Sequence, residues 1–139
     1  MSEENVELVR RSIEAFNTYF TEGTDPIPRL RQFCDPEIEI DFSRRPVDAE
    51  TYRGYEGAAR FAEQLREPWD DFRINPKEFL DAGEKVAIFS QMVGRASQSG
   101  ITVDAPVSHV CTVRDGRVVR LEYFGDDRAG CLRAAGLSE

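Results

Sequence analysis

Residues 105–127 read APVSHVCTVRDGRVVRLEYFGDD, and this stretch decides the fold. Two alternating segments meet at Arg114-Asp115-Gly116. Asp-Gly accepts the positive backbone angles of a tight hairpin turn, so the segments read as antiparallel neighbours. Side chains alternate along a strand, which puts Val103, Ala105, Val107, His109, Cys111 and Val113 on one face of the first segment. In the second, Val119, Leu121 and Tyr123 share a face opposite Arg120 and Glu122. The charged face belongs outside, which turns His109 and Tyr123 inward. His109 is the only histidine in the chain.

Working backwards, 85–96 (KVAIFSQMVGRA) and 71–82 (DFRINPKEFLDA) are two further strands. Short turns near Gly83 and at Ser97–Gly100 join the four into an antiparallel meander. On 85–96, Phe89, Gln91 and Val93 make one face and Ile88, Ser90 and Met92 the other. Neither is decisively polar, and Gln91 is the candidate ligand contact.

The first half of the chain is mostly helical. Val6, Val9, Ile13, Phe16 and Phe20 form one apolar stripe on a helix from about Glu3 to Glu22, stopped by Gly23. A short helix follows around Pro28. PEIEIDF (36–42) alternates Ile38, Ile40 and Phe42 with Glu37, Glu39 and Asp41, which is a half-buried strand. The polar run 43–55 is a long loop, of the kind that often rims a site. Residues 56–67 form an amphipathic helix burying Ala58, Phe61, Ala62 and Leu65, ended by Pro68 and followed by Trp69. A last short helix is capped by Asp126 and stopped by Gly136. Helices at one end of the sequence and a long antiparallel sheet at the other make an α+β domain, expected to span 1–139 as one unit.

Composition narrows the function. A net charge of -8 disfavours nucleic acid and anionic membrane as partners, since both are bound chiefly by Lys and Arg. No apolar run is long enough to span a bilayer, and the acidic, then amphipathic N-terminus is unlike a signal peptide. The three cysteines are widely spaced with no CxxC pair, which reads as reduced thiols in a cytoplasmic protein. One histidine, no paired cysteines and no Asp-rich loop give no metal-ligand spacing. There is no phosphate-binding loop or dinucleotide fingerprint, so no cofactor is expected.

The motifs DPEIEIDF, TYRGYEGAARF, WDDFRINPKEFLDAGEKVAIF and above all SHVCTVRDGRVVRLEYFGDDRAGCLRAAGL resemble the SnoaL-like branch of the nuclear transport factor 2-like superfamily. The resemblance covers nearly the whole chain. It implies a cone-shaped α+β barrel, a strongly curved, mostly antiparallel sheet wrapped around N-terminal helices with a central pocket. It also implies a homodimer through the convex sheet face. The family includes ketosteroid isomerase, scytalone dehydratase, limonene epoxide hydrolase, polyketide cyclases and non-catalytic proteins, so the fold leaves the chemistry open.

Three family chemistries map incompletely. In the isomerase-like pattern, the base position falls on Ile40 and the tyrosine position on Ser12, and neither side chain suits the role. Asp41 is one residue away and so on the opposite strand face unless a bulge turns it in. In the cyclase-like pattern, His109 fits the histidine position, but Tyr123 occupies the aspartate position, with Asp126 and Asp127 beyond the strand end. The epoxide-hydrolase pattern needs two aspartates bridged by an arginine, and not all three can be placed on inner faces.

Phe16, Tyr19, Phe42, Trp69, His109 and Tyr123 would line a mostly apolar, aromatic pocket for a small hydrophobic molecule. His109 has three open roles: core residue, ligand contact or general base. Two readings of the chain follow. One is a metal-free isomerase, dehydratase or cyclase with His109 and Tyr123 as its catalytic pair and Phe16, Tyr19, Phe42, Trp69 and Gln91 as substrate contacts. The other is a non-catalytic binding or dimeric assembly module with the same cone.

Overall fold

A computed structural model describes residues 2–23, 25–46 and 49–138. In chain order the elements are α1 (Ser2–Glu22), α2 (Ile27–Phe33), β1 (Cys34–Asp41), β2 (Thr51–Arg53), α3 (Gly54–Arg66), β3 (Trp69–Ala82), β4 (Lys85–Ala96), β5 (Thr102–Arg114), β6 (Arg117–Gly125) and α4 (Arg128–Ala134). The six strands form one curved sheet in the order β2-β1-β6-β5-β4-β3. The meander β3 to β6 is antiparallel, and β1 joins β6 in parallel. β2 and β3 are edges that do not meet, so the cone is an open sheet and not a closed barrel.

Local chemistry explains the elements. Asp115 and Gly116 both have positive φ, 51° and 72°, as the β5–β6 turn requires. Pro76 is tolerated in β3 because that strand is an edge and carries an irregularity between Pro76 and Glu78. The sequence pattern misses β2. Three residues are too few to display alternation, yet Tyr52 within it is wholly buried and its hydroxyl donates to Gln64 Oε1 at 2.9 Å. The cap of α4 is Asp127, one residue later than expected: its carboxylate accepts the Gly130 N–H at 2.9 Å.

The main core lies between α1, α2, α3 and the concave face, built on Val9, Ile38, Ile40, Phe61, Val86 and Ile88. A second cluster lies behind the sheet, where α4 packs Cys131 and Ala135 on Ala87, Val110 and Phe124. Strands β4 and β5 are thus covered on both faces. Two register shifts in the β5–β6 pair refine the inner face. At the first, Val118 and not Val119 joins Leu121 and Tyr123 on the cavity side. At the second, Phe124 turns outward to α4 while Tyr123 stays opposite His109. No described helix is long and apolar enough to cross a membrane.

Candidate functional site

The concave face and the three N-terminal helices enclose a cavity of about 360 Å³. Helices contribute Ser12, Ile13, Phe16, Leu30, Ala58, Phe61, Ala62 and Leu65. The sheet and its loops contribute Cys34, Ile38, Ile40, Phe42, Arg45, Trp69, Phe72, Ile74, Ile88, Met92, Val107, His109, Cys111, Val118, Leu121 and Tyr123. No aspartate or glutamate is among them. Ser12 spends its hydroxyl on its own helix, donating to the Val9 carbonyl at 2.7 Å, and Ile40 presents only hydrocarbon.

His109 and Tyr123 are cross-strand partners in the β5–β6 ladder, with ring centroids 5.8 Å apart in an edge-on arrangement. Phe42, just after β1, stacks on Tyr123 at 4.7 Å and 18°, and its centroid lies 6.1 Å from that of His109. No hydrogen bond to a described residue ties the His109 ring or the Tyr123 hydroxyl. The His109 ring lies deep in the protein, and the surface it retains opens into the cavity. Burial pushes its pKa down to about 4, with no carboxylate among the described residues to oppose it. The imidazole is therefore neutral near pH 7, one nitrogen a donor and the other an acceptor. Gly125 leaves room for the phenol, since a Cβ there would stand 3.1 Å from the Tyr123 hydroxyl.

Phe16, Phe42, Trp69, His109 and Tyr123 thus line one cavity, and two candidates lie outside it. Gln91 is on the wrong face: Ile88 and Met92 line the cavity, so the odd-numbered neighbour points away, and its amide donates to Asp104 Oδ1 at 2.6 Å. Tyr19 is buried but lines a separate, polar cleft of about 450 Å³ with Glu63, Arg66, Asp70 and Asp71. Trp69 borders both spaces.

Sequence reasoning missed Arg45 and Ser90. Arg45 sits in the polar loop that was expected to rim a site. Ser90 shares the inner face with Ile88 and Met92, is 5% exposed, and its Oγ has no hydrogen-bond partner among the described residues. The inward thiols Cys34 and Cys111 are also part of the lining; burial raises each pKa to about 12, so both are protonated.

The carboxylates lie on the other side of the sheet. Asp41 and Glu122 are parallel-strand partners facing outward. Arg120 bridges them, its Nη2 at 2.8 Å from Asp41 and its Nε at 3.4 Å from Glu122, and it also contacts Glu39. An acid–arginine–acid cluster therefore exists, but outside the cavity. Burial acts to raise the Asp41 pKa; hydrogen bonds from the Ser43 hydroxyl and N–H and the charge of Arg44 outweigh it, and the pKa is lowered. Among the described residues, no group of three or more His, Cys, Asp or Glu is placed to hold a metal ion.

Residues 9–121 match the SnoaL-like domain family. The chain belongs to that family. It is similar in fold to an NTF2-like protein of unknown function from Burkholderia pseudomallei K96243, with 24% identity, 96% of this chain and 97% of that one covered, and a TM-score of 0.75. It is also similar to a putative SnoaL-like polyketide cyclase from Jannaschia sp. CCS1, at 22% identity, 91% and 88% coverage and a TM-score of 0.75. TerC, co-crystallized with polyporic acid, has 23% identity, 91% and 95% coverage and a TM-score of 0.73. At these identities the likeness is one of fold. No protein of curated function matches.

Proposed function

We propose that this SnoaL-like protein binds a small, mostly hydrophobic molecule in its cavity, held by neutral His109 and Tyr123. The observation that carries the reading is a cavity of about 360 Å³ whose described lining is apolar and aromatic with no acid, and which holds two inward polar rings without hydrogen-bond partners among the described residues. That volume falls within the roughly 300–1,000 Å³ usual for small-molecule sites. A core filler would have its polar atoms satisfied; here two donor-acceptor groups remain for a ligand carbonyl or hydroxyl. TerC, co-crystallized with polyporic acid, supports a ligand role for the fold.

A second reading, a metal-free isomerase, dehydratase or cyclase, is favoured by the adjacency of His109 and Tyr123. There His109 is the base and Tyr123 the donor to a developing oxyanion. It demands more of His109: a ring whose pKa is about 4 accepts a proton weakly at neutral pH, and no carboxylate among the described lining residues stabilises the imidazolium.

The test is the His109 ring, observed by NMR during titration with small aromatic and terpenoid ketones. Shifts that saturate, and weaken in Tyr123→Phe, support binding. Turnover of a bound ketone that His109→Gln abolishes supports the enzyme. A ring that no compound moves overturns both.

A further inference from the structure

Among the described residues, Arg45 is the only formally charged side chain in the cavity lining. Its neighbour Arg44 lies 3.9 Å from both Asp41 and Glu122 and belongs to the outer cluster. Consecutive arginines therefore divide between the two sides of the sheet. Arg45 makes no ion pair with any described residue, and its guanidinium stands 5.4 Å from the centroid of the Phe42 ring.

The chain fixes that position. Asp41 Oδ1 accepts the Ser43 N–H at 2.9 Å, and the Arg45 N–H donates to the Phe42 carbonyl at 3.1 Å. The short turn so formed holds Arg45 over Phe42, which stacks on Tyr123. A half-buried guanidinium paired with no carboxylate among the described residues keeps its planar fork of donors available, and that fork matches a carboxylate in two parallel hydrogen bonds. The rest of the protein works against an anion, because its net charge is -8. A cation placed at an apolar cavity with no acid among its described lining residues supplies the local attraction that this field lacks.

We propose that the cavity takes an apolar molecule bearing one carboxylate, the carboxylate on Arg45 and the apolar body running over Phe42 towards His109 and Tyr123. This inference rests on the ligand-binding reading above and narrows its ligand to an organic acid.

The test uses matched pairs: benzoic, 2-naphthoic and dodecanoic acids, each against its primary amide, titrated into the full chain by calorimetry and followed at the His109 ring. At about pH 7 the acids are ionised. The best acid is expected to bind about tenfold more tightly than its amide. Arg45→Met, which keeps an unbranched stem without the charge, should bring the acid to the affinity of the amide, while Arg44→Met leaves their ratio unchanged. Equal affinities in the unaltered chain, or an acid preference that survives Arg45→Met, overturn the carboxylate assignment and leave the ligand-binding reading standing. Amide binding that moves His109 while no acid binds does the same. No binding by any of the compounds, with His109 unmoved, overturns both.

Discussion

Asn17 and Ile74 exchange two hydrogen bonds across the seam between α1 and the edge strand β3: Asn17 Nδ2 donates to the Ile74 carbonyl at 2.9 Å, and the Ile74 N–H donates to Asn17 Oδ1 at 3.0 Å. The side-chain amide occupies the place a further strand would take, and it is buried. Asn17→Ala leaves a backbone donor and acceptor without partners and is expected to cost about 2 kcal/mol of stability, read by urea unfolding. Asn17→Asp keeps only an acceptor and should recover less than half of that.

His109 gives the fold a pH dependence of definite sign. Its pKa is about 4 in the fold and about 6.5 in an unfolded chain, so between these values the unfolded state binds more protons. The stability from keeping the ring neutral is full above about pH 6.5. It falls as the pH drops towards 4, by roughly 3 kcal/mol in the limit. Unfolding measured across this range should show the loss, and His109→Gln should flatten the profile by a matching amount.

Trp69 depends on Gly94. A Cβ at Gly94 would stand 2.8 Å from Trp69 Cε3, closer than carbon atoms tolerate. Gly94→Ala should push the indole off its seat beside Phe72, where the ring centroids are 5.5 Å apart. The expected cost is about 1–3 kcal/mol. Trp69 is the only tryptophan, so its emission spectrum reports the displacement without ambiguity.

The strand faces can be tested directly with a ligand found by the His109 titration. Gln91→Ala should leave its affinity unchanged, because that amide serves Asp104 on the far face. Met92→Ala, one residue along and inside the cavity, should weaken binding of an apolar ligand by about tenfold through lost contact area. Equal effects would mean the assignment of faces is wrong.

Cys34, Cys111 and Cys131 are all buried. Burial raises the pKa of each, so little thiolate exists near neutral pH. A disulfide reagent should label none in the folded protein and all three in urea, which makes labelling a measure of opening.

What could be read from the sequence follows how unequal the two sides of each element are. β1 was legible because Ile38, Ile40 and Phe42 face a core while Glu37, Glu39 and Asp41 do not. The β5–β6 hairpin was legible because Arg114-Asp115-Gly116 permits one turn. β4 was not, since the helices cover its inner face and Arg128 lies over Phe89 outside, 4.1 Å from the ring centroid. With both faces sheltered, Ser90 and Gln91 carry no signal of direction. Tyr19 failed for a different reason: it lies beside the Val6-to-Phe20 stripe and is buried, but a helix's buried arc is wide enough to touch two separate spaces. Arg45 was hidden because a loop has no period from which to infer direction.

In β5 the odd-numbered Val107, His109 and Cys111 face the cavity, while Val110 between them packs on the α4 side and Ser108 donates to the Gly125 carbonyl at 3.0 Å. The two-residue period thus assigns recognition and support to separate inheritable positions on one strand. A lineage carrying this fold can vary the cavity-facing set while the α4-side set keeps its packing, and Cys111, which also belongs to the main core, is the position least free to change.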